Sequence, residues 1–433
     1  TQDDEIPKKR RKRINLEYML TKKTITLSLL ALLLVMSFAS CASDTASDVP
    51  VSPLDSKAYL QIQVHVDGGA GSRASAGPAG GEDGDGREGA KENENKISNL
   101  TLLLYQSDKS DWTDDDATIA YVYTFQSFTS STSGDSYTCR SAVKEIDPQI
   151  MQHTYHALLI ANAGADYSWK GKKLSDVKDA MINKVCTRAA AIDDFSDFVM
   201  SSKTDAQLQI EGNPGDGTEA NPYILEATVE RLAARIDIEP NATFADKGYY
   251  YHVVNDKGHV IGGFKLEAVV PTHVLTSGEY LIKRVSGDYV LSPSAPTIGN
   301  AEGAAAFYQV PDVAASNSFI LDYVKENTSS SSSYADYTGL LFKGKYYDFS
   351  AWDAIKKCPK TGAAPTDKEY TYTIRHSDPT GTGSPSDPMH FGIVRNNIYR
   401  IKIEGVQGDG PQGLKLTVNV RKWATYKHEE TTM

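Results

Sequence analysis

Leu60-Gln61-Ile62-Gln63-Val64-His65-Val66 alternates apolar and polar side chains with a period of two. That predicts a strand with Leu60, Ile62, Val64 and Val66 on one buried face. Gly68 to Glu94 follows, rich in glycine and charge and too poor in apolar residues to pack, so it reads as a long loop. Apolar patterning returns at Lys96–Tyr105, Ala120–Phe125 and Tyr155–Ala161, each a strand candidate. Leu174, Val177, Met181 and Val185 recur at spacings of three and four, which predicts one helix with Ser175 as cap and Asp176 and Asp179 in its first turn. A second series opens near Glu226, where Leu232, Ala234, Ile236 and Ile238 alternate with small or charged residues. At the far end Tyr399, Ile401 and Ile403 alternate with Arg400, Lys402 and Glu404, and Leu414, Leu416, Val418 and Val420 do the same after the turn Gly405–Gly413, which predicts a hairpin. Many short strands, turn signals and little helix predict an all-β protein with one or two short helices, built as β-sandwiches. The change of pattern near residue 230 suggests two of them, over 58–228 and 229–433.

The first forty residues depart from this pattern. They hold eight of the 45 Lys and Arg and four of the 56 Asp and Glu, which leaves the rest of the chain clearly acidic. An acidic body argues against nucleic acid as a partner, because phosphate binding needs clustered cations. Met19 to Cys41 has the order of a secretory signal: Lys22 and Lys23, an apolar run from Ile25 to Phe38, then small residues. The run is shorter than the roughly 20 residues of a membrane span. It ends in Phe38-Ala39-Ser40-Cys41, which is similar to a bacterial lipobox, so Cys41 is the expected lipidation site and the membrane an expected contact of the precursor. Thr1–Tyr18 then reads as an extension ahead of the true start, and residues 42–57 as a small, polar tether. Cys139, Cys186 and Cys358 remain, an odd number without metal-type spacing.

Catalytic signatures are weak throughout. Gly339–Tyr346 resembles a phosphate-binding loop but places Tyr346 where a hydroxyl should hold magnesium. Glu82–Gly86 lacks the later glutamate of a calcium loop. His153 and His156 lie three apart beside a strand and read as surface residues, and no GxSxG or HExxH occurs. No enzyme, no cofactor and no metal site is therefore expected.

Six stretches carry a resemblance: Phe38–Cys41, Lys96–Thr101, Phe198–Lys203, Val229–Arg235, Gly392–Ile403 and Val418–Trp423. Their order and spacing resemble the fimbrillin family, the type V pilins of anaerobic oral and gut bacteria, and within it the minor-type shaft subunits. The resemblance implies two transthyretin-like β-sandwich domains and a precursor carried to the outer membrane as a lipoprotein. An arginine-specific protease would then cut the loop after the first strand. It implies Arg73 as the cut, with Arg87 in reserve, and residues 58–73 as the removable segment. The groove left behind would take a strand from another pilin subunit, with Ala424, Tyr426 and Met433 of the C-terminal segment as the apolar pegs, or with the strand Leu414–Trp423 as the alternative donor. Adhesion to a host glycan or protein is the expected outcome. The alternative is a tip pilin or a monomeric surface lipoprotein that binds such a ligand directly.

Overall fold

The computed structural model describes residues 57–423, apart from 68–86, 111, 134–135, 165–167, 189–194, 246–247, 279, 283–296, 300–317, 329–336, 377–391, 409 and 411–412. Two ten-stranded sheets account for most of it, and the chain is all-β. The alternating stretch near the start forms β1 (Ala58–Val66). After it come β2 (Arg87–Glu88), α1 (Glu92–Asn95), β3 (Leu100–Tyr105), β4 (Ile119–Phe125), β5 (Phe128–Ser133), β6 (Ser136–Ser141), β7 (Lys144–Ile146) and β8 (Tyr155–Ala161). Next are α2 (Leu174–Lys178), β9 (Thr187–Arg188), β10 (Phe195–Ser196), β11 (Met200–Ser202), β12 (Ala206–Leu208) and β13 (Tyr223–Arg231). The first sheet runs β4-β3-β8-β11-β13-β1-β6-β5, with β12 beside β8 and β7 beside β1.

The second sheet draws on β14 (Ala233–Glu239), β15 (Thr243–Ala245), β16 (Gly248–Val254), β17 (Val260–Thr272), β20 (Phe319–Lys325), β22 (Gly339–Asp348), β25 (Thr366–Thr373), β27 (Asn397–Gln407) and β28 (Leu414–Trp423). Short pairs fill the intervals: β18 (Val274–Ser277) with β19 (Thr297–Gly299), β21 (Asn327–Thr328) with β26 (Gly392–Ile393), and β23 (Trp352–Asp353) with β24 (Cys358–Pro359). Its main order is β2-β28-β27-β16-β17-β22-β25, and β14 pairs with both β20 and β27. The expected terminal hairpin is β27 with β28, antiparallel from Asn397↔Lys422 to Val406↔Leu414. The chain passes between the sheets at Leu232, and β13 belongs to the first sheet along its whole length.

Each sheet has its own apolar core. Leu60, Ile62 and Val64 join Leu102, Leu158, Leu225 and others in the first, and Ile236, Phe264, Phe342 and Ile401 sit in the second. The first core also takes in Ile320, Tyr323, Ile398 and Trp423 from the second sheet, so apolar packing is continuous across the junction. At about 25 cal/mol per Å² of apolar surface removed from water, this joint burial opposes independent movement of the two halves.

Three expectations need correction. The helix over 174–185 is five residues long: Asp176 accepts from the Lys173 backbone N–H at 3.0 Å, Ser175 is not the cap, and Met181 is 48% exposed. His156 is not on the surface, because β8 lies inside the sheet between β3 and β11; its ring sits 5.3 Å from Tyr105 and 2.8 Å from the Asp205 carboxylate, whereas His153 is exposed. The loop from Gly68 to Glu94 is not structureless throughout, since Arg87–Glu88 pairs parallel with Lys422 and Trp423, and Glu92–Asn95 is helical. Among the described residues no helix is long and apolar enough to cross a membrane, and no group of three or more His, Cys, Asp or Glu side chains could hold a metal ion.

Candidate functional site

β1 occupies an interior position of its sheet. On one side it runs parallel to β13, from Leu60↔Tyr223 to Val66↔Val229. On the other it is antiparallel to β6, with Val64 opposite Cys139, and to β7, with Leu60 opposite Lys144. Both backbone edges are therefore engaged, and the four side chains that the alternation points inward are buried: Leu60, Ile62 and Val64 at 0% exposure and Val66 at 4%. Gln61, Gln63 and His65 face outward, where Gln63 meets Arg140 at 2.5 Å and Glu226 at 3.2 Å. Taking out a strand held this way would open a slot with a hydrogen-bonding edge on each side.

The slot ends in a buried polar cluster. Asp67, one residue past β1, donates its N–H to the Val229 carbonyl at 2.7 Å, and its carboxylate accepts from Lys203 Nζ at 2.7 Å and Asn396 Nδ2 at 3.1 Å. Arg231, at the end of β13, is fully buried. Its Nη1 donates to Asn396 Oδ1 at 2.9 Å, the Trp423 carbonyl at 3.3 Å and the Asp67 carbonyl at 3.4 Å; its Nε donates to the Glu94 carbonyl at 2.9 Å, and its Nη2 to Asn95. The guanidinium lies 4.6 Å from the centre of the Trp423 ring, within cation–π range. Burial pushes the Arg231 pKa down to about 10, against the opposing pull of Glu94 and Asp67.

Glu94 ties α1 into the same cluster. Its carboxylate accepts from Trp423 Nε1 at 3.0 Å, from Arg235 Nη1 at 3.2 Å and from the Tyr323 hydroxyl. Burial opposes the Arg235 charge, yet the paired Asp237, 2.7 Å away, more than offsets it and raises the Arg235 pKa. Tyr323 is raised as well, by burial and then by Glu94. The end of the first strand, the end of β13 and the end of the last strand thus share one set of hydrogen bonds.

Of the residues singled out from the sequence, Leu60, Ile62, Val64 and Val66 come together in this slot. Cys41, Arg73, Ala424, Tyr426 and Met433 lie outside the described residues. Arg87 has its backbone in β2, opposite Lys422. Asp67, Lys203, Glu94, Asn396 and the cluster around Arg231 carry no site role in the sequence-based expectations. One signal was available: with Val229 inward on β13, a period of two puts Arg231 inward too, and a buried arginine needs partners.

With the slot described, comparison with known proteins shows what the chain is similar to. Residues 58–231 match the family model of the major fimbrial subunit protein (FimA), a span that coincides with the ends of β1 and β13. The resemblance to fimbrillins is borne out over that span. Solved structures similar to the chain include a candidate cell adhesion protein from Parabacteroides distasonis, 18% identical, covering 86% of this chain and 99% of that one with a TM-score of 0.48. A fimbrilin (fimA) from Porphyromonas gingivalis is 15% identical, covering 85% and 99% with a TM-score of 0.42. The tip fimbrial protein Mfa3 from the same organism, with C-terminal truncation, is 11% identical, covering 85% and 100% with a TM-score of 0.41. No curated protein matches the chain.

Proposed function

We propose that this chain is a structural subunit of a surface fimbrium that supports adhesion, made as a lipoprotein anchored at Cys41 and cut by an arginine-specific protease. After the cut, residues 58–73 leave, and a strand from the next subunit enters the slot between β13 and β6. The observation that carries this is the placement of β1: interior to the sheet, buried along its apolar face, and followed in sequence by the arginine-bearing segment 68–86. Losing β1 exposes a surface that had covered four large apolar side chains, worth about 1.5–3 kcal/mol each, together with unpaired ladder groups on β13, β6 and β7. Such a vacancy favours addition of a strand from another chain. Arg73 is preferred to Arg87 because cleavage needs unpaired backbone, and Arg87 is engaged with β28. The FimA-type match over residues 58–231 supports the same assignment, since it covers the sheet that contains the slot.

The test is to treat purified protein with an arginine-specific protease and follow it by N-terminal sequencing and non-denaturing gels. One trimmed species beginning at Ala74, followed by a ladder of multimers, is expected. A cleanly trimmed protein that stays monomeric overturns the proposal.

A further inference from the structure

We propose that a cleft on the outer face of the second sheet binds an acidic saccharide and takes its carboxylate on Lys357, Lys415 and the ring N–H of His252. This gives the proposed adhesion a ligand class and rests on that reading for its role, but the binding itself needs neither cleavage nor strand exchange.

The cleft exists because β16 and β27 diverge. They pair only at Val253↔Val406 and Val254↔Gln407. β14 leaves β27 after Glu239↔Lys402, and β15 joins β16 no further along than Thr243↔Tyr250. On the edges that face each other, Tyr251–His252 and Ile403–Gly405 therefore have no strand paired with them. Tyr249, Tyr251 and Val253 enter the second core, so the alternation of β16 turns Tyr250, His252 and Val254 outward. The same alternation brings Glu404 of β27 and Lys415 of β28 to that outer face. With Asn241 and Lys357, these groups line about 550 Å³, a volume suited to a small ligand.

The donors are already in place. Gly263 of β17 makes room for the Trp352 ring, since a Cβ there would lie 2.1 Å from it. The seated indole donates from Nε1 to His252 Nδ1 at 3.0 Å. An indole N–H can only donate, so Nδ1 is the acceptor and the ring proton sits on Nε2, which has no partner among the described residues. Burial, and then the Lys357 charge, lower the His252 pKa and keep the ring in that neutral form at pH 7. Lys357 holds φ 54 in the turn between β23 and β24, at a position where glycine or asparagine is the ordinary choice. What lysine adds there is a cation beside the imidazole. Neither Lys357 nor Lys415 has an ion-pair partner among the described residues, in a chain whose net charge is −11.

The acceptor in the cleft favours a sugar over a bare anion. Glu404 is exposed, lies 3.4 Å from Lys402 Nζ and accepts from Asn241 Nδ2 at 3.2 Å. Its carboxylate would repel a phosphate placed against it, but accepts hydroxyl protons readily. A ligand that carries a carboxylate for the lysines and hydroxyls for Glu404 satisfies both sets of groups, and its contacts with the ammonium groups are charge-assisted.

The experiment titrates the untrimmed protein by calorimetry with sialyllactose and glucuronic acid, and with lactose, glucose and sodium phosphate as counterparts. Saturable binding of an acidic sugar, absent for the neutral sugars and for phosphate, is the expected result. Lys357→Gly suits the left-handed turn and removes only the cation, so it should weaken binding about tenfold, as should Lys415→Gln. Lys356→Gln, one position away and outside the cleft, should match wild type. The assignment is overturned if no acidic sugar binds, if neutral sugars or phosphate bind as tightly, or if Lys357→Gly and Lys415→Gln both bind like wild type. Because the untrimmed protein is used, a failure to polymerise after trimming bears on the fimbrial reading alone.

Discussion

Single residues carry two separate tasks at the slot, and substitutions should separate them. Ile62 has no exposed surface and fills the first core, so Ile62→Ala should cost the untrimmed protein about 2–5 kcal/mol in a denaturant titration. Asp67→Asn keeps the volume but removes the anion that faces Lys203 and Asn396. Its destabilisation should appear in the untrimmed protein and vanish after trimming, because residue 67 is then gone. Equal melting shifts before and after trimming would show that the substitution acts elsewhere. Arg231→Met breaks the cluster at its centre and should destabilise both forms, by about 3–5 kcal/mol, since it strands the buried acceptors around it. Cys139 offers a readout that needs no mutation: it is 1% exposed, and burial pushes its thiol up to about 11. A raised thiol pKa contributes stability that is complete below the unfolded value near 9 and is lost as pH rises toward 11. At pH 8 the untrimmed protein should therefore resist alkylation at Cys139, and the trimmed monomer should react quickly, as mapped by peptide mass spectrometry.

At the scale of elements, alternation made β1 legible in the sequence because one face of the strand is wholly buried and the other is polar. The same alternation marks β14, β27 and β28, although both faces of β14 are buried and Leu414 and Leu416 of β28 are half-buried. β8 is apolar apart from His156 and was legible as a strand, yet its burial on both faces was not, which is why His156 looked like a surface residue. The helix was misjudged in length because Met181 and Val185 continue a helical spacing in a segment where Met181 bridges to Tyr280 instead. What no periodicity could show was position within the sheet. Pairing of β1 with β13, more than 150 positions away in sequence, is a long-range contact that local pattern does not encode. The short β2 and α1 were hidden for a related reason: a charged segment with few apolar residues is ordered by Glu94 reaching Trp423, Arg235 and Tyr323, all distant in the chain. Glu94→Gln should loosen that segment, and faster proteolysis near Arg87, relative to wild type, is the expected result in a timed digest.

For the whole molecule, the first strand and the last meet at one buried cluster across the junction of two sheets. Arg231 bonds to the carbonyl of Trp423 and to that of Asp67, so the residue that follows β1 and the residue that precedes the C-terminal segment share a donor. Excision of β1 would change the environment of the segment that the next subunit is proposed to receive. The resemblance seen in the sequence extended along most of the chain, and the family match covers the sheet that holds β1. The cluster was beyond reach in sequence because its members come from seven separate stretches, brought together only by the fold.

The most direct test is the intact mass and N-terminal sequence of the subunit recovered from assembled filaments on cells that produce this protein. A subunit that starts after Arg73 or Arg87 and lacks Ala58–Val66 is the predicted result. Filaments whose subunits still carry β1 in one continuous chain with the rest would contradict the account.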